Sequence, residues 1–177
     1  MRTSRGLMLG AVLAAGAGCK PTLIPCEPRT VQLTLSASDR LNPDDQGRSL
    51  PTAVVLLQLK DLSRLENASF PELWRDPTSA LRDDLLHLEE LTLSPAGRET
   101  RAFTPKPGAT HLAVAALVRK PAGTAWRLVQ RLASGPAPMC PEKEPRLRPL
   151  ELSIRVVEFE VQSAGPAPAP AAGRPAR

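Results

Sequence analysis

Val31, Leu33 and Leu35 alternate with Gln32, Thr34 and Ser36. Successive side chains of an extended chain point to opposite faces, so this period of two predicts a half-buried strand. Val54 to Leu59 is instead an almost unbroken apolar run, the pattern of a central strand covered on both faces. From Leu62 to Leu81 the β pattern stops. Leu62, Leu65 and Leu73-Trp74 recur at helical spacing, and Pro71 and Pro77 divide the stretch into short helices, because a ring nitrogen cannot donate inside a helix. Leu86 to Leu93 predicts a strand that runs into the turn Pro95-Ala96-Gly97, with Glu99 to Phe103 as its hairpin partner. Pro107-Gly108 marks another turn, Leu112 to Val118 a buried strand, Gly123 a turn, and Trp126 to Leu132 a further strand. In the last segment Leu150, Leu152, Ile154 and Val156 face one way. At Val156-Val157 the phase flips, and Val157, Phe159 and Val161 carry the apolar positions onward. A flip within one strand predicts a β-bulge or a crossing between sheets. About seven short strands punctuated by turns predict an all-β fold, a β-sandwich with a small helical insertion at about 61–84.

The two ends read differently. Arg2 and Arg5 precede a short apolar stretch, Leu7 to Ala15, and the small residues Gly16-Ala17-Gly18 stand before Cys19. The apolar stretch is about half the roughly 20 residues a spanning helix needs. Residues 1–18 are therefore expected to be a signal peptide. Small residues followed directly by Cys match a lipobox, which makes Cys19 the expected site of lipidation; the alternative is an ordinary signal peptide with Cys19 as a plain thiol. Gly16 stands where a lipobox usually carries Leu. No Asp follows Cys19, which favours the outer membrane. Residues 19–29 are expected to be a membrane-proximal linker, 30–162 the sandwich domain, and 163–177, rich in Pro and Ala, a disordered tail.

Composition narrows the function. Of the 23 Lys and Arg, four lie in the leader and the tail, where there are no acids; the remaining 19 face 18 Asp and Glu. The body is nearly neutral, with no basic stripe and five Phe and Trp in all, so the footprint of a nucleic-acid binder is missing. With Cys19 assigned to lipid, Cys26 and Cys140 are an even pair in an oxidising compartment. They form either a bridge, worth about 4–5 kcal/mol by the chain-entropy argument, or two free thiols. No CxxC spacing points to a metal.

Catalysis needs a nucleophile, a base and an orienting acid. His87 and His111 are the only histidines, and both are expected on the surface. Asp83-Asp84 and Glu89-Glu90, read as strand residues, would point to opposite faces and form no dyad. Asp44-Asp45 beside Gly47 lacks the spacing of an EF-hand loop. No catalytic residue, metal ligand or cofactor is expected, and no small-molecule substrate.

Several short segments occur in a particular order after Cys19. They are Leu41-Asn42-Pro43-Asp44 with Gly47-Arg48 and Pro51, Gln58-Leu59-Lys60-Asp61, Ala68-Ser69-Phe70 with Leu73-Trp74, Asp84-Leu85-Leu86 and Glu89-Glu90. Leu93-Ser94-Pro95-Ala96-Gly97, Val114-Ala115-Ala116 and Trp126-Arg127 complete the series. The set resembles the TssJ (VasD-like) lipoproteins of type VI secretion systems over roughly residues 30–132. The resemblance implies a transthyretin-like sandwich, attachment to the outer membrane with the domain facing the periplasm, and docking to the periplasmic C-terminal region of TssM. It also places the partner contact in the connection between the first two long strands, Asp39–Pro51, and so on Asn42, Pro43, Asp44, Asp45, Gly47, Arg48 and Pro51. The residues themselves show that connection to be long and polar, which in a compact domain is usually functional. A free-standing envelope lipoprotein that binds a carbohydrate or another protein is the competing expectation. A transthyretin-like hydrolase is remote, because the chain has no Tyr.

Overall fold

The computed structural model describes residues 22–132 and 138–164. Ten strands and three short helices follow in order: β1 Leu23–Pro25, β2 Val31–Ala37, β3 Thr52–Leu59, α1 Ser63–Asn67, α2 Phe70–Arg75, α3 Pro77–Leu81, β4 Leu85–Leu93, β5 Arg98–Phe103, β6 His111–Ala116, β7 Arg127–Arg131, β8 Met139–Pro141, β9 Leu150–Val157 and β10 Glu160–Ser163. Two four-stranded sheets, β10-β9-β2-β5 and β4-β3-β6-β7, contribute to one continuous core, giving an all-β sandwich. Every pairing is antiparallel except β2 with β9.

The alternation in β2 places Val31, Leu33 and Leu35 in the core, as the period of two requires. β3 lies between β4 and β6 and is buried along almost its whole length. Its second face is covered by the helical insertion, whose Leu65, Leu73 and Leu81 join the same core. The short helices are defined by their caps. Ser69 accepts from the Glu72 amide, the Glu72 carboxylate reaches back to the Ser69 amide at 2.9 Å, and Pro71 sits in the first turn. Asp76 likewise accepts from the Ser79 amide at 3.0 Å, ahead of Pro77.

Arg127 at the start of β7 fixes the insertion to the sheet. Its guanidinium donates to the carbonyls of Leu65, Glu66 (3.3 Å) and Ala68 (3.2 Å) at the C-terminal end of α1, where a helix favours positive charge. The same group lies 4.7 Å over the Trp126 ring, which meets Phe70 edge-on at 5.2 Å. Burial pulls the Arg127 pKa down, with Glu66 opposing.

Four expectations change. The phase flip at Val156-Val157 is neither a bulge nor a crossing strand. β9 and β10 form a tight hairpin, with Val157 opposite Glu160 and Glu158 in the left-handed region at φ 49°. A two-residue turn shifts the alternation just as a bulge would. The seven expected strands thereby become eight in the two sheets, and β1 and β8 add a two-stranded ribbon. That ribbon starts within the stretch expected to be linker, and Cys26 and Cys140 are disulfide-bonded beside it, their Cα atoms 5.0 Å apart. Asp83 and Asp84 lie in a single 3-10 turn and not on a strand. Cys19 and residues 165–177 of the tail lie outside the described residues.

Replacing Arg127 by Met keeps the apolar stem and removes the three donors. We expect a loss on the order of 2 kcal/mol in urea unfolding, with amide exchange accelerated in 63–84 while β2 and β3 stay protected.

Candidate interaction surface

Strand directions sort the connections into two poles. β2 begins at the disulfide end, and the Asp39–Pro51 connection leaves its far end. The start of β6 pairs with the end of β3, so Leu117 and Val118 emerge beside that connection, and the β9–β10 turn arrives there too. The long connection therefore projects from the pole opposite the disulfide, one strand length away.

Its shape is set from within. The Asp44 carboxylate accepts from the amides of Gln46 and Arg48, both at 2.9 Å, and from Arg48 Nε at 2.7 Å. The Asp44 amide returns a bond to the Arg48 carbonyl at 2.9 Å. Gly47, at φ 79°, makes the reversal that the other residues would resist. The Asp44 side chain is only 7% exposed. Burial alone would push its pKa up, but the bonds from Arg48 and Gln46 outweigh it and hold the carboxyl below its ordinary value.

Asn42 fastens this loop to the opposite sheet. It is 5% exposed and in the left-handed region at φ 44°, which Asn tolerates better than most residues. Its Nδ2 donates to the Leu117 carbonyl at 3.3 Å and its Oδ1 accepts from the Arg119 amide at 2.8 Å. Its own amide donates to the Glu158 carbonyl at 2.9 Å. Leu41, fully buried, carries the neighbouring backbone into the core.

The seven residues expected to meet a partner divide into two groups. Asn42 and Pro43 are buried and Asp44 is nearly enclosed, so these three shape the loop. Asp45, Gly47, Arg48 and Pro51 are exposed and form its outer surface. Asp45 also bonds Arg119 Nη2 at 3.1 Å. Beside them lie residues that sequence reasoning did not single out for this role: Leu117, which is 41% exposed, and Lys120, whose Nζ stands 5.9 Å from the centre of the Phe159 ring. The apolar run Leu112 to Val118 predicts Leu117 within a buried strand. β6 ends one residue earlier, at Ala116, and only the topology reveals that its continuation adjoins the loop.

Elsewhere, an open groove of about 830 Å³ runs between the helices of the insertion, lined by Asp61, Arg64, Glu72, Arg75, Asp76 and Arg82. Several of these side chains are already engaged: Glu72 and Asp76 as caps, Asp61 in bonds to Ser63, and Arg64 with Asp84 at 3.6 Å. His87 is half-buried on β4, and His111 bonds Thr110 Oγ1 through Nδ1 at 2.8 Å. Among the described residues, no three His, Cys, Asp or Glu are gathered for a metal.

The class the fold and site define is a β-sandwich with an internally closed loop at one pole. The chain belongs to the type VI secretion lipoprotein family described by VasD, EvfM and TssJ, whose family model matches residues 29–158. Solved structures share the fold. The crystal structure of the type VI lipoprotein TssJ1 from Pseudomonas aeruginosa aligns at TM-score 0.66 and 24% identity, over 80% of this chain and 100% of that one. Serratia marcescens Lip, a membrane-bound component of the type VI secretion system, aligns at 0.65 and 18% identity, over 78% and 99%. A chain in the structure of the TssM C-terminal domain (869-1107) from EAEC aligns at 0.60 and 21% identity, over 77% and 98%. No curated protein matches by sequence.

Two outcomes follow for the loop. Asn42→Ala leaves the part-buried Arg119 amide and Leu117 carbonyl without these partners and strains the backbone, costing about 3 kcal/mol in urea unfolding; Asn42→Gly, which relieves the strain, costs about 1 kcal/mol less. Because the Asp44 pKa is depressed on folding, its contribution is fully present above the ordinary aspartate value of about 3.9 and is lost as pH falls through the lower folded value. Proton exchange of the 44–48 amides should rise in that acid window, and Asp44→Asn should remove the dependence.

Proposed function

We propose that this lipoprotein is anchored in the outer membrane through acylated Cys19, faces the periplasm, and holds the periplasmic C-terminal region of TssM with the Asp39–Pro51 loop. The observation that carries the reading is the preorganisation of that loop. Asp44 closes it internally and Asn42 ties it to the second sheet, so little conformational freedom remains to be lost on binding. Asp45, Gly47, Arg48 and Pro51 form the contact face, with Leu117 as the adjoining apolar element. Likeness to a chain in the structure of a TssM C-terminal domain supports the choice of partner. In this reading Cys19 carries more than one acyl chain, since one chain binds a bilayer only marginally and stable anchoring takes more than one. The role is mechanical linkage between a membrane and an envelope-spanning assembly, with no chemical step.

The test separates the two ends of the molecule. Paired Asp45→Ala and Arg48→Ala substitutions should weaken capture of the TssM periplasmic region at least tenfold while the urea midpoint stays near wild type. Cys19→Ser should release the protein from membranes yet leave capture in solution intact. Capture unaffected by the loop substitutions removes the loop from the account, and an unacylated mature N-terminus in mass spectrometry removes the anchor.

A further inference from the structure

The β1–β8 ribbon at the disulfide pole has two unlike faces. Leu23 lies opposite Pro141, Ile24 opposite Cys140 and Pro25 opposite Met139. By the alternation of strand side chains, Ile24 and Cys140 share the more buried face of the ribbon while Leu23, Pro25, Met139 and Pro141 share the other. All four are exposed, Leu23 by 55% and Met139 by 54%. Leu23 and Met139 are two of the three large hydrophobic side chains exposed among the described residues. The Cys26–Cys140 bridge closes the base of the ribbon, the Cys26 amide donates to the Pro138 carbonyl at 3.0 Å, and the two chains stay joined up to β2 and β9 by Arg29 Nε donating to the Arg148 carbonyl at 2.7 Å and the Leu150 amide to the Thr30 carbonyl at 2.8 Å.

We propose that this apolar face rests in the surface of the bilayer and fixes the orientation of the domain on the membrane. The occupant follows from the length of chain between the face and the lipid. Only four residue steps separate Leu23 from Cys19, and four steps span at most about 14 Å when fully extended. With Cys19 acylated in the membrane, Leu23 is held within about 14 Å of it, close enough for the apolar face to settle to the depth of about 5–10 Å at which apolar faces bury in the interface. Glu142, Lys143 and Glu144 next to the face carry both signs, so burial of apolar surface, and not attraction to anionic headgroups, holds it there. Since the loop that serves the partner leaves the opposite end of β2, seating the ribbon on lipid turns that loop away from the membrane. The inference rests on the anchor reading for its setting, and its test is made independent of that reading.

Because Cys26 and Cys140 are bridged, a chain produced unacylated from Cys19 onward offers Cys19 as its thiol for coupling. The chain from Cys19 onward is coupled to maleimide-bearing phosphatidylcholine vesicles, whether or not cells acylate that residue. Tryptophan is placed by Met139→Trp, by Leu23→Trp, and at the loop pole by Gln46→Trp, with the wild-type signal of Trp74 and Trp126 subtracted. Brominated phosphatidylcholine should quench the probes at 139 and 23 at least twofold more than the probe at 46, without any anionic lipid. Equal quenching at the two poles overturns the proposal, as does shielding of position 139 that arises only when the TssM region or a second copy of the chain is bound. If Met139→Trp alters the circular dichroism spectrum, Leu23→Trp decides alone. Mass spectrometry of the natural N-terminus judges the anchor separately, so failure of one idea is not mistaken for failure of the other.

Discussion

β3 and β6 are apolar on both faces, and a sheet built on such strands must be covered twice. The opposing sheet supplies one cover, and the insertion between β3 and β4 supplies the other through Leu65, Leu73 and Leu81. Each of these buried leucines is worth roughly 1.5–3 kcal/mol of apolar burial, more than three helices of five or six residues could hold by themselves. The helices are thus ordered by the sheet they protect. Arg127 makes the arrangement directional, because its donors point at the C-terminal carbonyls of α1 while its guanidinium lies over the Trp126 ring.

The same economy governs the loop pole. Asn42 is a polar side chain in a place where an apolar one would pack, yet it supplies a donor and an acceptor to backbone groups of the second sheet that have emerged from the strand ladder. Asp44 performs the corresponding task inside the loop. The exposed residues between and beyond them are consequently presented on a fixed frame. Surface ion pairs such as Arg40 with Glu158 at 3.2 Å add little to this, since both partners are largely in water.

Much of this was legible in the sequence, and the reasons are local. The alternation in β2, the double-sided apolar run of β3 and the proline-divided helices each carry their signal within a few residues. The ordered motifs from Leu41 to Arg127 pointed to the family to which the chain belongs. What escaped depended on contacts between distant segments. The β9–β10 hairpin imitates a bulge because a two-residue turn and an inserted residue shift the alternation alike. Asn42 and Pro43 looked like surface loop residues because nothing nearby in sequence reveals that Leu117 and Arg119 lie against them. The ribbon was hidden for the same reason: three residues of β1 find their partners more than a hundred positions later.

The parallel pairing of β2 with β9 has a mechanical consequence. A pull applied between the disulfide end of the domain and the long loop runs lengthwise along β2, beside a ladder that extends from Val31 opposite Leu150 to Ala37 opposite Val156. In that direction the covalent backbone of β2 bears the load, and the ladder to β9 runs alongside it, holding the strand extended in the sheet without standing in series with the force. The two poles are therefore joined through one unbroken stretch of chain, whereas a hairpin opened from its end would give way one rung at a time.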